Sequence, residues 1–256
     1  MRIGATAIVQ ATLCLALAFA ATACGGGSLF RQYEYEEEVY LSLDGTAVVF
    51  VNSSIPALNA LRGASFDTRP NAPVDRAAVR AYFSTPVTRV TDIGTSRRAN
   101  RSFVRVRIEV DDVRRLGEAP AFAWSSYELT RAGEAYVFRQ SIGRAAGSEV
   151  GNVGWTGGEI VAFRLHLPSR VTFHNTADGP LRGNILRWEQ PLADRLRGAP
   201  LMRGGIALEA LEARLETTSI LYRTLWLFGW TLLAVAVTCA LTIWLIVRRN
   251  VKTAEV

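Results

Sequence analysis

The chain has 256 residues, 49% of them hydrophobic, and a formal net charge of +6. Residues 25–224 hold 25 arginines against 22 acids, an excess too mild for a nucleic-acid partner. The cysteines, Cys14, Cys24 and Cys239, all lie in or beside the two hydrophobic ends, which excludes a disulfide, a cysteine zinc site and thiol catalysis from the region between.

At the N-terminus, Arg2 precedes an apolar run from Ile3 to Ala20, and the small residues Ala21, Thr22 and Ala23 lead to Cys24. This is the pattern of an exported chain. It resembles a lipobox, in which small residues admit the peptide to a signal peptidase and the cysteine sulfur takes a diacylglyceryl group; Ala21 stands where leucine is usual. An uncleaved anchor and a plain secretory signal cut at the same Ala-Thr-Ala are the alternatives. The glycine-rich stretch at 25–28 favours lipidation, because a flexible leash lets a lipidated end stay in the bilayer. Residues 1–23 therefore read as a lipoprotein signal peptide and 24–33 as the lipidated Cys24 with its leash.

Residues 34–224 form one extracytoplasmic domain dominated by strand-like alternation. In residues 39–51, Asp44-Gly45 separates two β-prone runs and predicts a hairpin. Short helices are expected at 55–61 and 74–83, the second preceded by Asn71 and Pro73 as start signals. Arg101 to Val110, RSFVRVRIEV, alternates as an antiparallel strand with one packed and one wet face. A short turn over 111–116 closes at Gly117. Further strands are expected at 122–130, 134–141, 159–167, 170–174 and 184–189, with 143–158 as a long loop. Residues 206–216 fit either state: Leu208, Leu211 and Leu215 have helical spacing, whereas Ile206, Leu208 and Ala210 line one face of a strand. The fold class is α+β, a mainly antiparallel sheet covered on one face by two or three helices.

Residues 225–247 contain no charge and span roughly 34 Å as a helix at about 1.5 Å per residue. Trp226 and Trp244 fall near the ends of this transmembrane helix, where indoles prefer the interface, and Arg248, Arg249 and Lys252 follow at once. Residues 248–256 are thus a cytoplasmic tail, and the domain lies on the extracytoplasmic side of the cytoplasmic membrane.

Signals for chemistry are sparse. His166 and His174 would need a third ligand such as Glu159 or Asp178 to hold a metal, and their spacing is not that of a helical zinc site. No serine lies in a Gly-x-Ser-x-Gly elbow. Asp111-Asp112 fits a helix cap, and Glu36, Glu37 and Glu38 fit a solvated beginning of the first strand. Gly151 to Gly158 lacks the lysine of a P-loop and reads as a flexible loop around Trp155, an indole suited either to the membrane interface or to anchoring the loop. Arg101, Arg105 and Arg107 share one strand face and, with Trp155, are candidates for lipid head-group contact; pairing with cross-strand acids such as Glu128 or Glu134 is the alternative. No catalytic residue, metal or cofactor is assigned.

Three segments carry a family resemblance: LSLDGTAVVFVNSSIPALNALRG (41–63), LRGNILRWEQPLADRLRG (181–198) and SILYRTLWLF (219–228). They resemble those of the LppM-like bacterial lipoproteins, which also join a lipobox to a terminal membrane helix. The resemblance implies a cell-envelope protein and lipid binding, and supplies no catalytic positions. The expected function is a membrane-anchored lipoprotein, not an enzyme, whose domain binds lipid or another hydrophobic ligand near the membrane surface. Its partners are membrane lipids, with no nucleic acid. The alternative is a scaffold that holds another envelope protein.

Overall fold

Alternating side chains and a tight turn build the first hairpin. β1 (Gln32–Leu41) and β2 (Ala47–Ser54) pair antiparallel from Tyr35↔Ser53 to Leu41↔Ala47. Asp44 accepts hydrogen bonds from the Thr46 amide and hydroxyl at 2.9 and 2.8 Å, and Gly45 adopts φ 95°, which a side chain would resist. The computed structural model describes residues 31–254 apart from Asn71, with side chains as far as Leu245. Cys24, the signal segment and most of the leash lie outside the described residues.

α1 (Ile55–Arg62) follows at once. Ser54 Oγ caps it by accepting from Ala57 N at 3.2 Å, Pro56 sits in the first turn where no amide partner is needed, and Gly63 at φ 70° ends it. Every residue of α1 is buried. α2 (Arg76–Phe83) is capped by Asp75 and buries only Val79 and Phe83, so it lies on the surface of the core. The chain continues through β3 (Thr88–Arg98), β4 (Arg101–Val110) and two 3-10 turns, Val113–Glu118 and Pro120–Phe122, the first capped by Asp112 as expected.

The second half comprises β5 (Ser125–Ala132), β6 (Ala135–Ile142), the long loop, β7 (Glu159–His166), β8 (Ser169–His174), β9 (Ile185–Pro191) and α3 (Leu192–Leu196). A small hairpin, β10 (Met202–Arg203) with β11 (Ile206–Ala207), precedes β12 (Leu211–Ser219) and α4 (Ile220–Ala254).

The architecture is α+β and mainly antiparallel, but it holds two large sheets where the sequence suggested one. A six-stranded sheet has the order β3-β4-β2-β1-β7-β9 and a four-stranded sheet the order β5-β6-β12-β8. The undecided segment explains the difference. Leu211, Ala213 and Leu215 are buried at period two, and β12 pairs with β6 on one side and β8 on the other. Two strand partners outweigh the helical spacing of three leucines, because they satisfy its backbone and bury one face. β3 has no counterpart in the sequence reading: a bulge between Val90 and Asp92 breaks its alternation, and its second half is exposed.

The core lies between the sheets, with Val49, Val51, Val106, Ile108 and Phe163 from the first facing Leu129, Phe138 and Leu215 from the second. One polar cluster lies within it. Glu37, expected to be solvated, is 1% exposed. Its carboxylate accepts from Tyr127 Oη at 2.8 Å, Gln140 Nε2 at 2.9 Å and Tyr35 Oη at 3.0 Å, and pairs with Arg62 at the end of α1. Arg62 also donates to the Ala121 carbonyl at 2.7 Å and lies 4.1 Å from the centroid of the Trp124 ring. Burial pushes the Glu37 carboxyl up to about 7, against the hydrogen bonds from Tyr127 and Gln140, and lowers Arg62 to about 10. Both sheets and α1 thus meet on one carboxylate.

Strand pairing gives the domain two ends. At one, Leu41, Ala47 and Val110 lie together, Ser169 pairs with Ser219, and Ile220 N donates to the Pro168 carbonyl at 2.9 Å. This near end carries α4. Away from it lie Tyr33 at the beginning of β1, the loop over 143–158 held to Glu34 and Arg101, and α3, which follows Pro191 opposite Ile160; the β10–β11 hairpin precedes Leu211, the end of β12 remote from Ser219.

Candidate functional site

The outward face of β1 meets a partner at each alternate residue. Glu34 is fully buried and pairs with Arg101 at 2.8 Å, Glu36 meets Arg164 at 2.7 Å, and Glu38 meets Arg164 at 3.2 Å and His166 at 3.4 Å. The Tyr40 ring stacks on His166 with centroids 3.8 Å apart and meets Phe50 of β2 edge-on at 5.5 Å. These partners advance together along β1 and β7. His166, helped by Arg164 and Tyr40, holds the Glu38 carboxyl below its ordinary value against partial burial. Burial raises Glu36, with Arg164 opposing it. Glu36 is itself 7% exposed, so the expectation of a solvated acidic run at 36–38 fails on both strand faces. Pairing with neighbouring strands, invisible in a local reading, removes it from water.

The four residues singled out for head-group contact separate. Arg101 is buried, donating to the Val153 and Gly154 carbonyls at 3.1 and 2.9 Å while pairing with Glu34. Trp155 is partly buried against the core and donates from Nε1 to Glu34 at 3.3 Å. Both fasten the long loop over the outer face of the sheet, and Glu159 completes the clasp by accepting from the Thr156 and Gly157 amides at 2.7 and 2.8 Å. Arg105 and Arg107 remain exposed, 5.0 and 6.0 Å from the Phe50 ring centroid. Neither makes an ion pair among the described residues, although Asp92 lies opposite Arg107 across the β3–β4 pair. Glu128 and Glu134 belong to the other sheet and its turn, so they are not the cross-strand partners of these arginines.

Beside Tyr40 and His166 opens a cleft of about 470 Å³ at the near end. Leu41, Val48, Leu167 and Pro168 supply apolar wall, while Arg89, Glu109 and Asp111 bring charge. Arg89 and Glu109 form an ion pair. An apolar wall with a charged margin suits an amphiphile better than a small polar substrate. His166 and His174 sit on strands of different sheets, and His174 Nδ1 is 2.8 Å from the Thr176 hydroxyl. Among the described residues no group of three His, Cys, Asp or Glu side chains is arranged to hold a metal.

Ile220 begins α4 five residues before the expected boundary, because Ser219 Oγ accepts from Tyr222 N at 3.1 Å and turns strand directly into helix. Ile220–Leu245 is apolar; its most apolar 18 residues average a hydropathy of 1.9 and are unburied, while its first turn stays joined to the domain through Ile220 N and the Arg223–Glu216 ion pair. Trp226 and Trp244 are exposed on it. Thr238 and Thr242 hydroxyls donate back to the carbonyls of Ala234 and Thr238 at 2.8 Å, so neither requires water. Arg248 and Arg249 continue the helix beyond the described side chains.

These elements define a class: an α+β domain of two large sheets joined without a linker to the one helix, among the described residues, that is long and apolar enough to cross a membrane. The chain is similar to the NMR structure of the folded domain of Mycobacterium tuberculosis LppM, at 13% sequence identity and a TM-score of 0.39, over 77% of this chain and 99% of that one. No residue role is carried across from that likeness. No family model matches the chain, and no curated protein matches it.

The sequence reading missed Tyr40, Phe50, Arg164 and the cleft. The available signal was aromatic residues on the wet face of half-buried strands, where polar residues are the rule.

Proposed function

We propose that this chain is a non-enzymatic lipoprotein of the cytoplasmic membrane, lipidated at Cys24 and crossing by α4, whose extracytoplasmic domain binds a lipid or another hydrophobic ligand at the near-end cleft. The observation that carries the reading is the contact between cleft and helix: Pro168 lines the cleft, and its carbonyl accepts from the first residue of α4. A lipid leaving the outer leaflet beside α4 would meet Leu167, Pro168 and Leu41 first. Its head group would then face His166, Arg89 and, further along the sheet, Arg105 and Arg107, which hold unpaired positive charge for an anionic group.

The test is native mass spectrometry of the full chain extracted in detergent from its own membranes. Wild type is expected to carry lipid, and Val48→Glu, which puts a carboxylate on the cleft wall, to lose at least three-quarters of it while unfolding at the same temperature. Wild type without lipid at any detergent level would overturn the ligand reading. It would leave the scaffold reading, for which the specific support is two edge strands, β3 and β9, able to accept a partner strand.

A further inference from the structure

The joint between β12 and α4 has a second concave surface, which shares no lining residue with the cleft. Strand becomes helix at Ser219, and three contacts fix the angle: Tyr222 N donates to Ser219 Oγ at 3.1 Å, Ile220 N donates to the Pro168 carbonyl at 2.9 Å, and Arg223 pairs with Glu216. Tyr222, Trp226 and Trp230 recur at helical spacing and form a ridge along one side of α4, the two indoles meeting edge-on with centroids 5.6 Å apart. Arg223 and Leu227 form the adjacent row. Between the rows, with Thr218 at its domain end, runs a groove of about 340 Å³.

The groove is polar at one end only. Arg223 stands beside the domain, and Leu227 lies one turn further along, about 5.4 Å deeper. Arg223 is bonded through Nη2 alone, to Glu216, so its Nε and Nη1 donate to no group among the described residues. Arg170 stands 3.8 Å from the other oxygen of Glu216, which leaves two guanidiniums on one carboxylate. The neighbouring charges do not cancel that surplus. Arg131 and Glu134, on either side of the turn before Ala135 and so next to Glu216, are one cation and one acid, and Glu212 further along β12 is taken by Arg139 and Arg214.

Once α4 crosses a membrane, this joint lies where hydrocarbon gives way to head groups, because the apolar stretch begins at Ile220 and the polar domain ends there. An occupant must then bring anionic oxygen to the domain end and hydrocarbon to the rest. A second copy of α4 supplies only the hydrocarbon, since Ile220–Leu245 contains no acid to meet the guanidinium. A phospholipid supplies both in the right order. Its phosphodiester suits the free edge of Arg223, and an acyl chain suits the furrow between Trp226 and Leu227.

We infer that the β12–α4 joint is a phospholipid-binding site, in which Arg223 holds the phosphodiester and the Trp226–Leu227 furrow holds the first part of an acyl chain. The lipid thereby becomes part of the joint that sets how the domain stands on the membrane. The site rests on α4 crossing a membrane, as proposed above, and not on the cleft or on Cys24.

The experiment places the full chain in vesicles of phosphatidylcholine and phosphatidylglycerol with either of two photoreactive probes, a phosphatidylglycerol or a diacylglycerol, each carrying a diazirine near the glycerol end of one chain. Peptide mass spectrometry maps the labelled residues. The ratio of phospholipid to diacylglycerol label is expected to be about threefold or more higher at Trp226 and Leu227 than at Leu225 and Phe228, which lie at similar depth around the helix. Arg223→Gln is expected to abolish that excess and Arg223→Lys to keep part of it, both with unchanged thermal unfolding. Val48→Glu, which disables the cleft, is expected to leave it intact, so failure of the cleft reading is seen separately. An equal ratio around the helix, or cross-links between two copies of α4 in place of lipid label, overturns the inference. Absence of either label from the whole of α4 overturns the crossing itself and the site with it.

Discussion

The two faces of β1 put neighbouring glutamates to opposite uses. Glu37, on the inner face, is sealed among Tyr35, Tyr127, Gln140 and Arg62, where burial raises its pKa. Glu38, one residue on, faces outward, and His166 and Arg164 lower its pKa against a partial burial. The inner cluster ties two sheets and a helix together at high electrostatic cost, whereas the outer ladder is a surface from which charges and rings can reach a ligand. One strand thus carries both the fold's polar joint and the edge of its binding face.

The inner cluster is the place to break the comparison most severely. Arg62→Met removes the cation and leaves Glu37 buried with only neutral donors, which is expected to cost about 3–5 kcal/mol. Adding Glu37→Gln should recover part of that loss, because no uncompensated charge then remains. Chemical unfolding of the full chain in detergent, followed by tryptophan fluorescence, checks both; equal stability of Arg62→Met and wild type would show that the pair is not a joint at all.

A pH profile sharpens the contrast with a smaller effect. The raised pKa of Glu37 means that its folded-state contribution is complete below its ordinary 4.5 and is lost as pH rises through about 7. Glu38 is lowered, so its contribution is present above 4.5 and is lost as pH falls through its folded value. Stability differences between wild type and Glu37→Gln, and between wild type and Glu38→Gln, should therefore change with pH in opposite directions. The Glu38 difference stays below about 1 kcal/mol because solvent screens it. Parallel slopes would contradict the assignment of the two faces.

The smallest expected effect on stability comes from the outer arginines. Arg105→Glu with Arg107→Glu should shift unfolding by no more than about 0.5 kcal/mol each, since neither makes an ion pair among the described residues. The same pair should lower lipid occupancy of the full chain at least threefold in native mass spectra if the head group is anionic. Unchanged occupancy would confine the ligand to the cleft.

Much of the fold was legible locally. The Asp44-Gly45 hairpin, a helix over 55–61, the alternation of β4 and the loop over 143–158 all follow from signals a few residues long. The site was less so. Arg101 and Arg105 have the same strand parity and composition, yet the long loop crosses the first and not the second. Nothing within the RSFVRVRIEV segment distinguishes a clasped arginine from a free one, because the clasp comes from residues about fifty positions away.

By itself the sequence determined the α+β class, the approximate extents of β4 to β9 and the apolar helix, because backbone turns, side-chain alternation and hydrophobic length act over short stretches of chain. Only the tertiary structure decided that β12 completes a second sheet, that Glu37 belongs to the interior, that Arg101 and Trp155 hold a loop, and that a cleft opens beside the first turn of α4. Each of those outcomes depends on which distant backbone supplies hydrogen bonds and which distant side chains exclude water, and those are properties of pairing between strands.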